Sequence, residues 1–264
     1  MKRLILIMVA IALFLPLSAQ SAPRKPKYEA VEVTNGGSIK GVIKTSIKVA
    51  DPVIPIHIKP KENPLETEQE KKTCGENHGA MMYLISSSGG VKNALVSVEG
   101  VKKGKAAPKK DLAIDNNGCR FEPLVGIAYL KSNFVFRNSD PLFHNTSIGK
   151  MLPSGVRRTV YNLALPNKDQ VISKPNRVSG LLHVKCDAHP WMRAYVYSSR
   201  HPYVAITGEN GEFEIKDLLP GKYTVKIWHE GFKEMVREVD VQAGKTANLD
   251  GSFSEAVTPA ILDQ

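Results

Sequence analysis

The sequence predicts an all-β protein built from one or two β-sandwiches. Short segments that alternate apolar and polar residues recur at intervals of about 8 to 12 residues, with Gly, Asn, Asp and Pro at the turns between them. Helical periodicity is absent at length, apart from a possible turn or two in 61–73. No internal repeat stands out, which disfavours propellers and solenoids.

The first 22 residues have the pattern of a secretory signal peptide. Lys2 and Arg3 precede an apolar run from Leu4 to Leu17, and small residues follow up to Ala22. The run is about 14 residues long, shorter than the roughly 20 that a membrane-spanning helix needs. We therefore expect cleavage and a periplasmic protein, in a compartment where disulfides persist. The alternative is an uncleaved anchor.

The charge balance narrows the range of partners. The formal net charge is +10, and loss of Lys2 and Arg3 with the signal peptide leaves +8. Nucleic acid is a poor match for an exported protein whose lysines are scattered or lie in loops such as 102–110. The basic bias fits an acidic protein partner or an anionic membrane surface, and equally a solvated face that only aids solubility.

The segments before residue 110 begin with a flexible lead-in at 23–34. Residues 36–44 alternate as a strand, and a long excursion rich in proline and charge follows at 51–73. We assign 35–109 to N-terminal strands that include this excursion. Strand patterns then continue at 81–86, 91–101, 119–130, 132–140, 181–186, 193–198, 203–207, 211–216, 222–231 and 237–244.

Three cysteines in an oxidising compartment leave at least one unpaired. Cys74 and Cys119 both lie in turn-like Gly/Asn contexts, where a disulfide between strand ends fits. Such a bridge closes a loop of about 45 residues, worth at most about 4 kcal/mol on the chain-entropy model. We predict this pair, which leaves Cys186 free; a different pairing or an intermolecular disulfide is the alternative.

The free thiol lies in a segment of potential metal ligands. Strand alternation turns Cys186 inward, and His189 and Met192 follow at three-residue spacing. A thiolate and a thioether favour a soft or borderline metal such as copper, which would also need a second imidazole from elsewhere. Zinc could use the same donors, although its structural sites prefer a stronger fourth ligand. A buried structural thiol, a core methionine and a turn histidine are the alternatives without metal.

Of the seven histidines, His144 has the most informative surroundings. A series of residues leads up to and past it: Phe121, Pro123, the strand 133–138, Asn138, Asp140, His144 and Asn145. Together with the Cys-x-x-His-x-x-Met loop, they resemble the cupredoxin family over about 110–198, with the short loop spacing of amicyanin. The resemblance implies a Greek-key β-sandwich with one type 1 copper site.

The resemblance also implies a role for each residue. His144, Cys186 and His189 would be the equatorial ligands and Met192 the axial one. Asn145 would brace the cysteine loop. His189, flanked by Pro190 and Trp191, would form the surface port for electrons. The long, basic stretch 149–180 departs from the family, and we expect a flap beside the site there.

The tail resembles a second family. Its turn and strand residues, Gly208, Gly211, Phe213, Leu219, Pro220, Gly221, Tyr223, Gly231 and Phe232, are similar to those of the carboxypeptidase regulatory-like domain, a transthyretin-like β-sandwich. We assign 199–254 to it and 255–264 to a tail. Because 36–44 and 91–101 resemble that family's opening strands, we expect the cupredoxin domain to be inserted into this sandwich; two tandem sandwiches are the alternative.

These features predict a periplasmic single-electron carrier that is not an enzyme. The redox partner would be a protein such as a c-type cytochrome or a periplasmic dehydrogenase. The chain resembles exported methylamine-utilisation-like proteins. The alternative is an exported binding or scaffold protein whose copper is structural or transferable. Nucleophile-elbow, phosphate-loop and HExxH motifs are absent from the sequence, which disfavours an enzyme.

Overall fold

The computed structural model describes residues 28–152 and 154–257. The predicted signal peptide (1–22), the start of the lead-in and the end of the tail lie outside the described residues. Within them the fold is all-β, as the sequence predicts, with 21 strands and one helix. In the part of the chain that the structure describes, none of the helices is both long and apolar enough to cross a bilayer.

Nine consecutive strands form a two-sheet unit, here called the central sandwich. They are β7 (Leu112–Asn117), β8 (Arg120–Glu122), β9 (Val125–Tyr129), β10 (Asn133–Asn138), β11 (His144–Met151), β12 (Arg157–Leu165), β13 (Gln170–Pro175), β14 (Gly180–Lys185) and β15 (Arg193–Ser199). The sheet orders are β13-β10-β7-β8 and β12-β11-β14-β15-β9. The buried side chains of Phe134, Phe136, Ile148 and Leu182 form part of the core between them.

Strands from both ends of the chain form a second unit, here called the split sandwich. They are β2 (Gly37–Thr45), β5 (Leu95–Val98), β16 (Val204–Ile206), β17 (Glu212–Leu218), β18 (Gly221–His229), β19 (Phe232–Val241), β20 (Thr246–Asn248) and β21 (Gly251–Phe253). Strand β2 pairs with β17, opposing Ile39 to Ile215, and β5 lies between β16 and β18. The central sandwich therefore lies in the chain between two parts of the split sandwich, and a tandem arrangement would lack these pairings.

Two pairs of short strands form two-stranded sheets of their own. Strand β1 (Glu29–Ala30) pairs with β6 (Lys103–Gly104), and β3 (Val53–Pro55) pairs with β4 (Asn77–Gly79). The segment 149–180 is ordinary sheet for most of its length, because β12 pairs with β11 and β13 pairs with β10. The expected flap there is wrong.

The proline-rich excursion contains helix α1 (Pro64–Cys74), longer than the turn or two that the sequence suggested. The Asn63 side chain accepts a hydrogen bond from the Leu65 amide, and the helix ends at Gly75. Its buried side chains are Thr67, Glu70 and Cys74, which lie on one face at helical spacing. Since two of the three are polar, this face has no apolar periodicity. Cys74 is joined to Cys119 by a disulfide, which fixes the end of α1 to the central sandwich.

A buried ion pair joins the two sandwiches. The Arg193 guanidinium on β15 contacts both carboxylate oxygens of Glu230, at 2.7 and 2.8 Å, and also donates to the Ala80 carbonyl at 2.9 Å. Nearby, Tyr195 packs edge-on against Trp228 of β18 with ring centroids 4.9 Å apart. The Arg193 and Glu230 side chains are each 4% exposed. Removal of either charge would leave the other buried without its counter-ion, and water could not replace that counter-ion.

We predict that Glu230→Gln lowers the free energy of unfolding by about 3–5 kcal/mol, because it leaves the Arg193 charge buried and uncompensated. The matched control is Glu234→Gln, which removes a half-exposed pair with Lys226 and should cost less than about 1 kcal/mol. Urea unfolding measures both. Equal effects of the two substitutions would contradict the role given to the buried pair.

Candidate metal centre

The register of two strands brings the proposed ligands together. Strand β11 begins at His144, and β14 ends one residue before Cys186. The two strands are antiparallel, with Ser147 opposite Lys185. His144 and Cys186 are therefore adjacent in space although they lie 42 residues apart in sequence. His189 follows in the turn that leads from β14 to β15.

The three donor atoms converge in the interior. Sγ of Cys186 lies 4.0 Å from Nδ1 of His144 and 3.5 Å from Nδ1 of His189. The three side chains are almost fully buried. Sulfur and nitrogen atoms bonded to one ion at about 2.0–2.3 Å, at tetrahedral to trigonal angles, stand roughly 3.5–3.8 Å apart. The distance to His189 lies in this range and the distance to His144 exceeds it by about 0.2 Å, so a small movement of the His144 ring would let all three donors bind a single metal ion.

The environment of the free Cys186 thiol favours its ionised form. Burial raises the pKa of Cys186, but its hydrogen bonds with His144 and His189 outweigh this effect and lower the pKa to about 6. Burial also lowers the pKa of His144, and its contacts with Asp140 and Cys186 raise that pKa overall. A thiolate, the form that binds metals, is thus favoured at neutral pH.

Asp140 holds the far side of the His144 ring. Its Oδ2 lies 2.9 Å from His144 Nε2, and its two carboxylate oxygens accept hydrogen bonds from the amides of Gly118 and Cys119 at 2.7 and 2.9 Å. If a metal ion were bound at Nδ1, Asp140 would hold the remaining ring proton on Nε2. Cys119, Asp140 and His144 also form a compact group. That group is not a metal site, because the Cys119 sulfur is in the disulfide.

Asn145 lies where the sequence-based role needs it. Its Oδ1 accepts hydrogen bonds from the amides of Asp187 and Ala188, at 2.6 and 3.2 Å, and lies 3.4 Å from Cys186 Sγ. Its Nδ2 donates to the side chains of Asn162 and Asp187 at 2.8 and 2.9 Å. One side chain therefore braces the start of the ligand loop against β11 and β12.

Met192 lies in the same turn and is 2% exposed. Its amide donates to the His189 carbonyl at 2.9 Å, and its carbonyl accepts from the Cys186 amide at 3.4 Å. These bonds close the turn from Cys186 to Met192. The axial role of the Met192 thioether remains a prediction.

Pro190 and Trp191 flank His189, but His189 is not a surface residue. Its side chain is 3% exposed, so the expectation of a surface port at His189 is wrong. The Trp191 ring packs on it with centroids 5.1 Å apart, and the Trp191 indole donates to the Cys119 carbonyl at 3.3 Å. Pro190 is exposed to solvent.

Helix α1 covers the edge of His189 that was expected to face solvent. Oε1 of Glu70 lies 3.3 Å from His189 Nε2. Sequence reasoning missed Glu70 because its helix lacks an apolar stripe. The signals that could have located the helix were its boundary residues, Asn63 and Pro64 at the start and Gly75 at the end.

Comparison with known proteins finds one family model, that of the carboxypeptidase regulatory-like domain, at residues 188–253. This match confirms the resemblance of the tail. Its first residues lie in the ligand loop and β15, and the rest covers β16 to β21. A comparison with curated proteins gave no match.

Solved structures similar to this chain include cupredoxins. A purple cupredoxin from Nitrosopumilus maritimus is 20% identical over 34% of this chain and 100% of its own, with a TM-score of 0.29. Amicyanin from Paracoccus versutus is 17% identical over 39% and 97%, with a TM-score of 0.28. A copper-containing nitrite reductase from Thermus scotoductus is 15% identical over 36% and 24%, with a TM-score of 0.29.

For the metal-free protein, we predict a thiolate ultraviolet absorption that rises with a midpoint near pH 6, since the pKa of Cys186 is lowered to about 6. His144→Gln removes a stabilising imidazole and should move the midpoint upward. His57→Gln, a change at an exposed histidine, should leave it in place. A wild-type midpoint near the ordinary thiol value of about 8.5 would contradict this picture of the site.

Proposed function

We propose that this protein binds one copper ion in a type 1 site and carries single electrons. His144, Cys186 and His189 are the proposed equatorial ligands, and Met192 is the proposed weak axial ligand. The observation that supports this most strongly is the buried convergence of a free thiol with the Nδ1 atoms of two imidazoles. One thiolate, two imidazoles and a weak thioether are the donor set of electron-transfer copper sites.

The donor set favours copper over zinc. Among the residues that the structure describes, no further His, Cys, Asp or Glu side chain joins the group formed by His144, Cys186 and His189. Structural zinc sites prefer a strong fourth nitrogen, sulfur or oxygen ligand. A loop that supplies methionine beside the thiolate matches a softer metal better.

Bound copper would supply the one-electron couple, and the chain's own residues would keep the site in one geometry. Asp140 fixes the His144 ring, while Asn145 and the turn bonds of Met192 fix the cysteine loop. Burial excludes water from the three donors. Because these restraints do not depend on the charge of the ion, we expect little rearrangement when an electron arrives or leaves.

The proposed setting is the periplasm, with a redox protein such as a c-type cytochrome or a dehydrogenase as the partner. The predicted signal peptide and the Cys74–Cys119 disulfide support export. Since His189 is covered, the proposed docking surface is the rim of a cavity of about 640 Å³ beside it. Lys59, an exposed residue that lines this cavity, would favour an acidic partner.

A second candidate function is an exported binding or scaffold protein with structural or transferable copper. The burial of His189 favours it, because a covered ligand is harder for a redox partner to approach. Copper that is retained only as Cu(I), without colour and without a reversible redox couple, would support this candidate over the electron carrier.

We predict that the purified protein with one equivalent of Cu(II) shows an intense visible absorption band from thiolate-to-copper charge transfer. Cys186→Ser should abolish the band, and His144→Gln or His189→Gln should weaken or shift it. His57→Gln, near the same cavity, should leave the band unchanged. A wild-type protein without the band would refute the electron-carrier proposal.

We also predict that Asn145→Ala weakens copper binding by about 10–100-fold, because it frees the backbone that presents the thiolate. Competition with a chelator of known affinity measures the change. Asn133→Ala is the matched control, since this asparagine contacts Asp111 at the surface, away from the site. Equal affinities of the Asn145 variant and the wild type would show that the loop needs no brace.

A further inference from the structure

Glu70 is a buried carboxylate next to the proposed metal centre. It belongs to neither of the two sandwiches that form the fold. It projects from α1, outside both sandwiches, and its side chain is 8% exposed. Oε1 lies 3.3 Å from Nε2 of His189, on the side of the ring opposite to the Nδ1 atom that faces Cys186. A carboxylate is costly to bury in this way unless it meets a partner.

Glu70 also has a cationic neighbour. Its Oε2 lies 2.6 Å from Nζ of Lys61, whose side chain is 36% exposed. The Lys61 amide donates to Oγ1 of Thr67 on the same face of α1 at 2.9 Å, which fixes the lysine backbone against the helix. From the surface inward, the ammonium group of Lys61 is followed by the carboxylate of Glu70 and then by the imidazole of His189.

The two histidines of the metal centre are held in the same manner. Asp140 stands behind Nε2 of His144, and Glu70 stands behind Nε2 of His189. A carboxylate on the far nitrogen of a ligating imidazole fixes its tautomer and makes it a stronger donor. Asp140 comes from the central sandwich itself, whereas Glu70 comes from a helix that the Cys74–Cys119 disulfide fastens beside it.

We propose that Glu70 is a positioning residue for His189 and that the Lys61–Glu70 pair sets the reduction potential of the site. This proposal rests on the proposed copper function. The Glu70 carboxylate keeps the proton of His189 on Nε2 and directs Nδ1 toward the metal. Its negative charge stabilises the more positive, oxidised ion, and the ammonium of Lys61 partly offsets this stabilisation.

The charges of Glu70 and Lys61 should shift the reduction potential in opposite directions, so the two variants test the proposal separately. Glu70→Gln removes the negative charge with little change in shape, so the reduction potential should rise. Lys61→Gln removes the positive charge, so the potential should fall, by a smaller amount because water screens this partly exposed group. General loosening of the site would not move the potential in opposite directions.

The same helix provides matched controls. Glu68 and Lys71 form an exposed ion pair on α1, with their charged atoms 2.8 Å apart. Glu68→Gln and Lys71→Gln repeat the two charge changes on the solvent side of the helix. Both variants should keep the wild-type potential, because solvent and salt screen their charges.

The decisive experiment is redox titration of the copper-loaded protein and these four variants at one pH and ionic strength. A rise for Glu70→Gln together with a fall for Lys61→Gln supports the proposal. An unchanged or lowered potential for Glu70→Gln overturns the tuning role. Shifts of equal size in the Glu68 and Lys71 controls overturn it as well.

A second measurement needs no metal. Nitrogen NMR of the metal-free protein should show a proton on Nε2 of His189, where it faces Glu70, whether or not Nδ1 also holds a proton. Glu70→Met removes the acceptor and should speed the exchange of this Nε2 proton with water. A wild-type His189 without a proton on Nε2 overturns the positioning role. A wild type without a copper band overturns the proposed function and the tuning role with it, whereas the NMR result still decides whether Glu70 positions His189.

Discussion

The antiparallel register of β11 and β14 is the constraint on which the rest of the site depends. It sets Ser147 opposite Lys185, and so brings His144 and Cys186 together at one end of the sheet. A shift of one residue would turn the buried face of a strand to the other side of the sheet. The buried side chains of Ile148 and Val184 oppose such a shift. The same register therefore packs the core and places the donor atoms.

Around this register, the fold supplies restraints that come from outside the ligand set. The Cys74–Cys119 disulfide fastens α1 beside the centre. The Cys119 backbone binds both Asp140 and the Trp191 indole. One short segment therefore connects the supports of both histidines. At the start of β15, next to the ligand turn, the buried pair of Arg193 with Glu230 joins the split sandwich to the central sandwich. The candidate metal centre is therefore surrounded by contacts from three parts of the chain.

The sequence was informative wherever a local pattern determined the outcome. Alternation predicted that Cys186 turns inward, and the turn and strand residues of the tail predicted its family. Apolar periodicity could not predict helix α1 over the site, because the buried face of α1 contains Thr67 and Glu70 instead of an apolar stripe. The expected exposure of His189 failed for the same reason. Which surface a polar helix covers is decided by tertiary contacts, and no spacing in the sequence records them.

X-ray absorption at the copper edge of the loaded protein tests the central claim most directly. It reports directly which atoms are bound to the metal ion. The account predicts one short copper–sulfur bond and two copper–nitrogen bonds in the wild type, with the sulfur absent in Cys186→Ser. A shell of nitrogen and oxygen atoms alone, or the same shell in both proteins, would contradict it.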